Sequence, residues 1–298
     1  RDNGIEFSGE TSNAVATPVP EGDISADIFI GQNDIYGTNN GISFEGEASG
    51  RNHAIRITRN TINGDNGNGI QHTGGISGAK LRIINNQSIM GDENGILVEG
   101  SMGTEGSRKA FIEVSRNDLI QGGSGDGVHI EDYGFSGANI ELVENKIEFG
   151  QDGIEVSAYS AEVLVDQNEI SNAGQNGILL NAKGSLFIES PETDFETTAF
   201  LVDNTQNIAN GPRAIAFVST GFDGEFNSVT SNNIVTESGS NGLNVQGETH
   251  DSVVVEGNTF TDNLTGARFE SGAVYVSNVD NPNIFEVTPD FVVPTDEF

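Results

Sequence analysis

The chain contains no cysteine and no tryptophan, and it has little positive charge. The absence of cysteine excludes disulfide bonds, thiolate metal sites and a cysteine nucleophile. No apolar run reaches the roughly 18 residues that a membrane-spanning helix needs, so the sequence predicts no membrane span. Hydrophobic residues make up only 35% of the 298 residues, which indicates a thin core with many turns.

The chain has 13 basic and 45 acidic residues, which gives a formal net charge of −32. Such a surface repels nucleic-acid phosphates, so no nucleic-acid partner is expected. It suits a protein that stays soluble in high salt, or one that collects divalent cations. We therefore predict a halophilic protein that is extracellular or lies at the cell surface.

Glycine, by contrast, is abundant, and it is arranged in a repeat. A glycine followed by an apolar residue recurs at intervals of 24 to 37 residues, with Ala214-Ile215 filling one gap. The glycines of this pattern are Gly4, Gly41, Gly69, Gly95, Gly127, Gly153, Gly177, Gly242 and Gly266. A fixed motif at such intervals is typical of solenoid proteins.

An asparagine column forms a second anchor that stays in phase with the first. Its members are Asn33, Asn60, Asn86, Asn117, Asn145, Asn168, Asn204, Asn232 and Asn258. Apolar residues five and three positions earlier, such as Ile55 and Ile57 before Asn60, predict a strand with one inward face. We expect the asparagines to form an internal ladder, in which stacked amides bond coil to coil.

Residues 33–46, "NDIYGTNNGISFEG", show the repeat most clearly. This phrase resembles the right-handed parallel β-helix repeat shared by pectate-lyase-like proteins, polysaccharide lyases and epimerases, NosD-like proteins, phage tailspikes and many surface proteins. The resemblance implies an all-β solenoid of about ten coils over residues 1–278. We expect left-handed backbone at the Asn-Gly turns. Residues 279–298 lack the repeat and form a C-terminal tail, either a cap or an inter-subunit arm.

The first functional hypothesis is a non-catalytic extracellular β-solenoid. It would be a structural, self-assembling protein (filament or surface-layer-like) or an adhesive surface protein, because the catalytic motifs of related enzymes are missing. We predict end-to-end or lateral self-association through apolar residues of the outward strand face and the tail. These residues are Phe200, Phe226, Val254, Ile284, Phe285, Phe291, Val292 and Val293.

The alternative is a polysaccharide lyase or epimerase acting on an anionic glycan, uronic-acid or sulfated, or a carbohydrate-binding β-helix. Such an enzyme needs a base and a cationic group that neutralises the uronate carboxylate. Arg56, Lys80 and Arg82 share one predicted outer face and would supply this charge to a polysaccharide. The sequence assigns no other catalytic residue and leaves enzymatic activity open, with a leaning against it.

A metal site is the remaining candidate. Asp126 and Asp152 each precede a turn glycine in adjacent coils, and stacked carboxylates attract Ca²⁺. No cofactor is required by the sequence, so calcium would be an optional ligand. His129 is predicted to face outward, whereas His72 falls on an inward position of its strand and is expected to be a core residue.

Overall fold

In the computed structural model, every described element is a β-strand, and the strands wind into a parallel solenoid. The structure describes residues 3–8, 11–12, 28–50, 53–103, 109–134, 137–158, 161–183, 196–202, 205–207, 213–220, 225–231, 233–236, 241–246, 252–256, 258–261, 265–269, 275–277, 284–286 and 291–292. Among these residues, no helix is long and apolar enough to cross a membrane.

Three long parallel sheets form the faces of the solenoid, and each coil gives one strand to each sheet. The first sheet contains β1 (Ile5–Ser8), β5 (Ile42–Glu45), β9 (Ile70–Thr73), β13 (Ile96–Gly100), β17 (Val128–Asp132), β20 (Ile154–Ala158), β23 (Asn176–Lys183), β26 (Arg213–Thr220), β29 (Asn241–Gln246), β32 (Thr265–Phe269) and β35 (Phe291–Val292). The second contains β3 (Ile28–Gly31), β7 (Ala54–Thr58), β11 (Lys80–Ile84), β15 (Ala110–Ser115), β18 (Ala138–Val143), β21 (Ala161–Asp166), β24 (Glu196–Val202), β27 (Glu225–Ser231), β30 (Ser252–Glu256) and β33 (Tyr275–Ser277).

The third sheet and a short fourth sheet complete each coil. The third contains β4 (Asp34–Gly37), β8 (Thr61–Gly64), β12 (Ser88–Gly91), β16 (Ile120–Gly122), β19 (Lys146–Glu148), β22 (Glu169–Ser171), β25 (Thr205–Asn207), β28 (Ile234–Thr236), β31 (Thr259–Thr261) and β34 (Ile284–Glu286). The fourth contains β2 (Thr11–Ser12), β6 (Ala48–Ser49), β10 (Ile76–Ser77) and β14 (Met102–Gly103).

This architecture confirms the predicted all-β parallel solenoid. About five turns of the solenoid are described without large gaps, whereas the sequence predicts about ten coils. Strands of the three long sheets continue in the same order beyond these turns, as far as Phe291–Val292. Consecutive coils therefore stack with a spacing of about 4.8 Å, the distance between neighbouring strands in a sheet.

The core is built from columns of identical or similar side chains. From β4 to β22, the third sheet contributes one buried isoleucine per coil to the core, namely Ile35, Ile62, Ile89, Ile120, Ile147 and Ile170. Inward positions of the other two long sheets are also aliphatic, as the alternating pattern predicts. His72 interrupts this apolar interior as expected, because it is only 1% exposed and its ring stacks on Phe44.

Asparagines of the second anchor form a buried column at the corner between the second and third sheets, which we call the amide ladder. In each rung, a backbone N–H and a side-chain Nδ2 donate to Oδ1 of the next coil, as Asn86 does to Asn117 at 3.0 Å. The described rungs run through Asn33, Asn60, Asn86, Asn117, Asn145 and Asn168.

Further along the chain, the ladder departs from the predicted register by one residue. Asn233, and not the predicted Asn232, donates to Oδ1 of Asn258 at 2.9 Å. The sequence "SNN" at residues 231–233 offers two asparagines and does not distinguish them. Asn204 and Asn232 themselves lie outside the described residues.

The turn glycines are required for a reason other than the predicted one. Gly41, Gly69 and Gly95 have no positive φ, so the expected left-handed Asn-Gly turn is wrong for these coils. A Cβ atom on Gly95 would lie 2.6 Å from the carbonyl oxygen of Gly127 in the next coil. Glycine is therefore needed at these coils because the backbones of their stacked turns approach too closely for a Cβ atom.

Two short strands lie within residues 279–298. Ile284–Glu286 pairs in parallel with Thr259–Thr261, and Phe291–Val292 pairs with Thr265–Phe269. The tail thus contributes strands to the third and first sheets. Val293 lies outside the described residues.

Candidate metal-binding site

Residues immediately before the turn glycines form a second column of hydrogen-bonded side chains, which we call the turn ladder. Its members are Asn3, Asn40, Asn68, Asn94, Asp126, Asp152 and Asn176. Each backbone N–H donates to Oδ1 of the preceding coil, for example from Asn68 to Asn40 at 2.8 Å. The sequence pattern did not reveal this ladder, because its asparagines had been attributed to the turn conformation.

Two consecutive rungs of the turn ladder are aspartates. Oδ1 of Asp126 accepts the backbone N–H of Asp152 at 2.9 Å, just as an asparagine oxygen would. Because a carboxylate has no amide hydrogens, its second oxygen is available as an acceptor where the other coils have a donor. The ladder therefore holds Oδ2 of the buried Asp126 in a fixed position.

His129 lies next to this second oxygen. Its Nδ1 is 2.7 Å from Oδ2 of Asp126 and 3.4 Å from Oε2 of Glu155. Strand pairing sets this arrangement, since His129 on β17 is directly opposite Glu155 on the next strand, β20. One ligand atom from each of the three residues lies within 4.8 Å of the others, which makes Asp126, His129 and Glu155 a candidate metal centre.

The electrostatics of the cluster strongly favour a cation. Burial opposes the charge of His129, but hydrogen bonds and the charges of Asp126 and Glu155 outweigh it and raise the pKa of His129 to about 10. The bond from His129 in turn lowers the pKa of Glu155. Burial, helped by the charge of Asp126, raises the pKa of Asp152 to about 6. The imidazolium thus neutralises carboxylates that would otherwise repel one another.

Further acidic groups surround the cluster on the outward face of the first sheet. Oε2 of Glu131 is 3.9 Å from Nε2 of His129. The Tyr133 hydroxyl lies 2.8 Å from carboxylate oxygens of both Glu99 and Glu131. On the other side, the Ser157 hydroxyl donates to Glu155 at 3.1 Å and fixes that side chain. Both nitrogens of His129 therefore face carboxylates.

The predicted calcium ligands are only partly brought together for binding. Asp126 belongs to the cluster, whereas Asp152 uses Oδ1 to accept both N–H groups of Asn176, at 2.7 and 2.8 Å. The sequence prediction missed His129 and Glu155 as ligands. Their signal is visible when coils are aligned on Gly127 and Gly153, because both lie two residues after the turn glycine.

The cationic residues considered for an anionic glycan do share one outward face. Arg82 is directly opposite Arg56 and Glu113 in the second sheet. Its Nε donates to Glu113 at 2.6 Å, so its charge is largely neutralised. Nε of Arg56 is buried without a hydrogen-bond partner, and Lys80 lies 5.7 Å above the Phe111 ring.

The residues considered for self-association lie on strands of the second, third and first sheets. Phe200 is opposite Leu164 and Val229, and Val229 is opposite Val254. Phe226 is opposite Thr197 and therefore stands in a different column. Phe285, by contrast, pairs with Phe260 in the third sheet. The register thus places an apolar column on β21, β24, β27 and β30.

Comparison with known proteins identifies a family. Residues 108–285, more than half of the chain, match the family described as "Periplasmic copper-binding protein (NosD)". No curated protein and no solved structure matches the chain. The matched segment contains Asp126, in the turn before β17, and the strands that carry His129 and Glu155. By its repeat, its fold and this match, the chain belongs to the NosD family of β-helix proteins.

Proposed function

We propose that the protein is a non-catalytic β-solenoid that works outside the cytoplasm and binds divalent copper at Asp126, His129 and Glu155. The observation that carries this proposal is the convergence of one imidazole nitrogen and two carboxylates from adjacent coils within 4.8 Å. The family name supports copper as the ion and the periplasm as a compartment of this kind.

The chemistry of the donors fits copper(II). Imidazole nitrogen and carboxylate oxygen suit copper(II), whereas copper(I) prefers thiolate and thioether ligands. The chain has no cysteine, and of its two methionines Met102 is buried inside the solenoid and Met90 lies on β12 of the third sheet, whereas His129 and Glu155 lie on the first. Calcium, the ion expected from Asp126 and Asp152, takes six to eight oxygen ligands and gains little from a central imidazole. Among divalent ions, copper(II) binds such donors most tightly.

The chain's own residues prepare the site and set its dependence on pH. The turn ladder fixes Asp126, and Ser157 fixes Glu155, so two ligands are oriented before binding. His129 must lose its proton before Nδ1 can act as a ligand. Because the pKa of His129 is about 10, copper affinity should rise with pH across the neutral range. A bound ion would supply fixed positive charge to this acidic surface.

Titration of the full chain with copper(II) at pH 7.5 tests the proposal, with binding followed by calorimetry and electron paramagnetic resonance. We expect one site per chain with one coordinated nitrogen. His129→Gln should weaken binding by at least about tenfold, the effect typical of losing a metal ligand or its orientation. Glu93→Gln is the matched control, because Glu93 is an exposed carboxylate outside the cluster. Equal affinity and an unchanged spectrum in His129→Gln would refute the site.

A second candidate function is lateral self-assembly, which is supported by the apolar column of the second sheet. Leu164 is half-buried, and the strand register continues its column through Phe200, Val229 and Val254. Apolar columns on an outer sheet face mark association surfaces when they are contiguous. Sedimentation of the full chain should show an assembly that Leu164→Asp reduces and Glu162→Gln does not. A single monomeric species at all concentrations would exclude it.

A further inference from the structure

The outward face of the second sheet carries a column of side chains whose charges are ordered along the solenoid. Strand register places its first six members opposite one another on consecutive coils. From the N-terminal end, they are Phe29, Arg56, Arg82, Glu113, Glu141 and Leu164. We call this column the charge stripe. It lies on a different sheet from His129 and Glu155 of the candidate metal site.

The charge stripe is complementary to itself when it is read in the opposite direction. An apolar residue stands at each end, two cations follow the first and two anions precede the second. A second copy that lies face to face with its axis reversed therefore puts every cation opposite an anion and Phe29 opposite Leu164. A second copy that runs in the same direction would put like charges opposite one another, which is unfavourable.

Within one chain, only the middle of the charge stripe is neutralised. Nε of Arg82 donates to Glu113 at 2.6 Å. Among the residues that the structure describes, Arg56 has no ion pair, and its buried Nε has no hydrogen-bond partner. Glu141 also has no ion pair in this part of the chain, and partial burial together with the charge of Glu113 raises its pKa.

The two unpaired charges cannot neutralise each other inside the same molecule. Arg56 and Glu141 are three coils apart, about 14 Å at the usual strand spacing, and the Arg82–Glu113 pair lies between them. Both lie next to this pair, one on either side. They therefore meet only when a second copy is turned about an axis through the middle of the stripe.

The ends and the size of the stripe also suit a second copy. Phe29 is 62% exposed and Leu164 is half-buried, so each would gain from covering the other. Six coils and the length of one strand give about 500 Å² on each copy. A pair would thus bury about 1,000 Å² in total, which is near the lower limit for a specific interface and predicts a weak, reversible dimer.

We infer that two copies of the chain pair antiparallel through their charge stripes, with a twofold axis between Arg82 and Glu113. This inference rests on the lateral self-assembly proposed above and specifies its direction and register. Arg56 of each copy forms an ion pair with Glu141 of the other. Because the same surface is used by both copies, the contact closes at two.

Sedimentation equilibrium of the full chain between about 1 and 100 µM tests the inference, because small interfaces have affinities near this range. Arg56→Glu and Glu141→Arg, made separately, should each weaken dimerisation by at least about tenfold, since two symmetry-related attractions become repulsions. Each new charge lies beside an opposite one in its own chain, at Arg82 or Glu113, so both variants should fold. Circular dichroism checks this.

Recombining the two changes should restore dimerisation. An equimolar mixture of the two variants, and the double variant in one chain, each make the contacts across the interface attractive again. A parallel pairing would gain nothing from the double variant, because like charges would still face one another. Arg59→Glu and Glu93→Arg, at exposed positions outside the stripe, make the same changes of charge and should dimerise like the parent chain.

The outcomes separate this inference from the self-assembly on which it rests. Assembly that is reduced by Leu164→Asp but is insensitive to both charge reversals would refute the antiparallel pairing and leave lateral self-assembly standing. Failure of the mixture and the double variant to dimerise would also refute the pairing. A monomer at every concentration would refute both ideas and would leave the stripe to a partner other than a second copy.

Discussion

Nδ1 of His129 lies 2.7 Å from Oδ2 of Asp126, a residue whose other oxygen is a rung of the turn ladder. One carboxylate thus performs two tasks, since it holds adjacent coils together and orients an imidazole at the surface. The aspartate differs from the asparagines of neighbouring coils only at the atom that faces His129. This difference allows the structural and the functional tasks to be separated experimentally.

Asp126→Asn should retain the fold and lose the site. The variant restores the side chain of the Asn94 rung, so the bond from the Asp152 N–H persists. It removes one of the two carboxylates that raise the pKa of His129, so this pKa should fall, while Glu155 continues to raise it. We expect a cooperatively folded variant that loses only the stability contributed by the pair with His129, and at least about tenfold weaker copper binding. Proton NMR titration and calorimetry measure these effects, and Asp126→Ala, which also breaks the ladder, should be more destabilised than Asp126→Asn.

Removal of one rung of the amide ladder should strongly destabilise the solenoid. Asn86→Ala leaves the backbone N–H and the side-chain amide of the buried Asn60 without their shared acceptor, and it removes the side-chain donor to Oδ1 of Asn117 and to the Ile57 carbonyl. Each unsatisfied buried group costs about 1–3 kcal/mol, so we expect a total loss of about 3 kcal/mol or more. Gln87→Ala, at the exposed next residue, should change the free energy of urea unfolding by less than about 0.5 kcal/mol. Similar values for the two variants would contradict the ladder's role.

The close approach of turn backbones predicts an unequal response to alanine. In Gly95→Ala, the new Cβ would lie 2.6 Å from a backbone carbonyl that cannot move without displacing the next coil. In Gly174→Ala, the nearest atom would be 3.4 Å away, an ordinary contact. We expect a loss of about 3 kcal/mol or more for Gly95→Ala and little change for Gly174→Ala. Chemical unfolding of both variants measures the difference, and equal tolerance would contradict the packing argument.

His72 should make the solenoid sensitive to acid. Burial lowers its pKa from 6.5 to about 4, so the unfolded chain binds a proton that the folded chain excludes between these pH values. Stability attributable to His72 is therefore present above pH 6.5 and is lost as the pH falls toward 4, by up to about 3 kcal/mol.

His72→Phe should remove this loss. The substitution would extend the stack of Phe7 on Phe44, whose ring centroids are 4.8 Å apart. Urea unfolding of both proteins at pH 7 and pH 4.5 should show a stability difference that grows with acidity in favour of the variant. Parallel pH profiles would show that His72 does not control this response. All other titrating groups are present in both proteins, so their contributions to the pH dependence of stability cancel in the comparison.

Much of the fold could be predicted because the glycine pattern and the asparagine pattern recur in phase along the chain. Periodicity alone located the inward columns and most rungs of the amide ladder, since each depends on local alternation. The exact rung at Asn233 depends on which of two adjacent asparagines aligns with Asn258, and that choice is made by stacking between coils. The role of Gly95 was likewise hidden, because it depends on the distance to another backbone.

The candidate metal site was harder to predict from the sequence than the fold. Asp126 and Asp152 stood out as acidic residues in equivalent positions, but their common role in the turn ladder was not evident. His129 and Glu155 are far apart in sequence and meet only when β17 and β20 pair in register. Chemistry that arises between coils can be found in the sequence only after the coils have been aligned residue by residue.

The two ladders run in opposite senses along the solenoid. Amide-ladder donors point toward the C-terminal coils, as from Asn86 to Asn117, whereas turn-ladder donors point toward the N-terminal coils, as from Asn68 to Asn40. Their dipoles therefore cancel pairwise and do not sum as they do along an α-helix. Each added coil therefore contributes side-chain dipoles of opposite direction at the two corners, and the charged groups nearest His129 remain Asp126, Glu155 and Glu131.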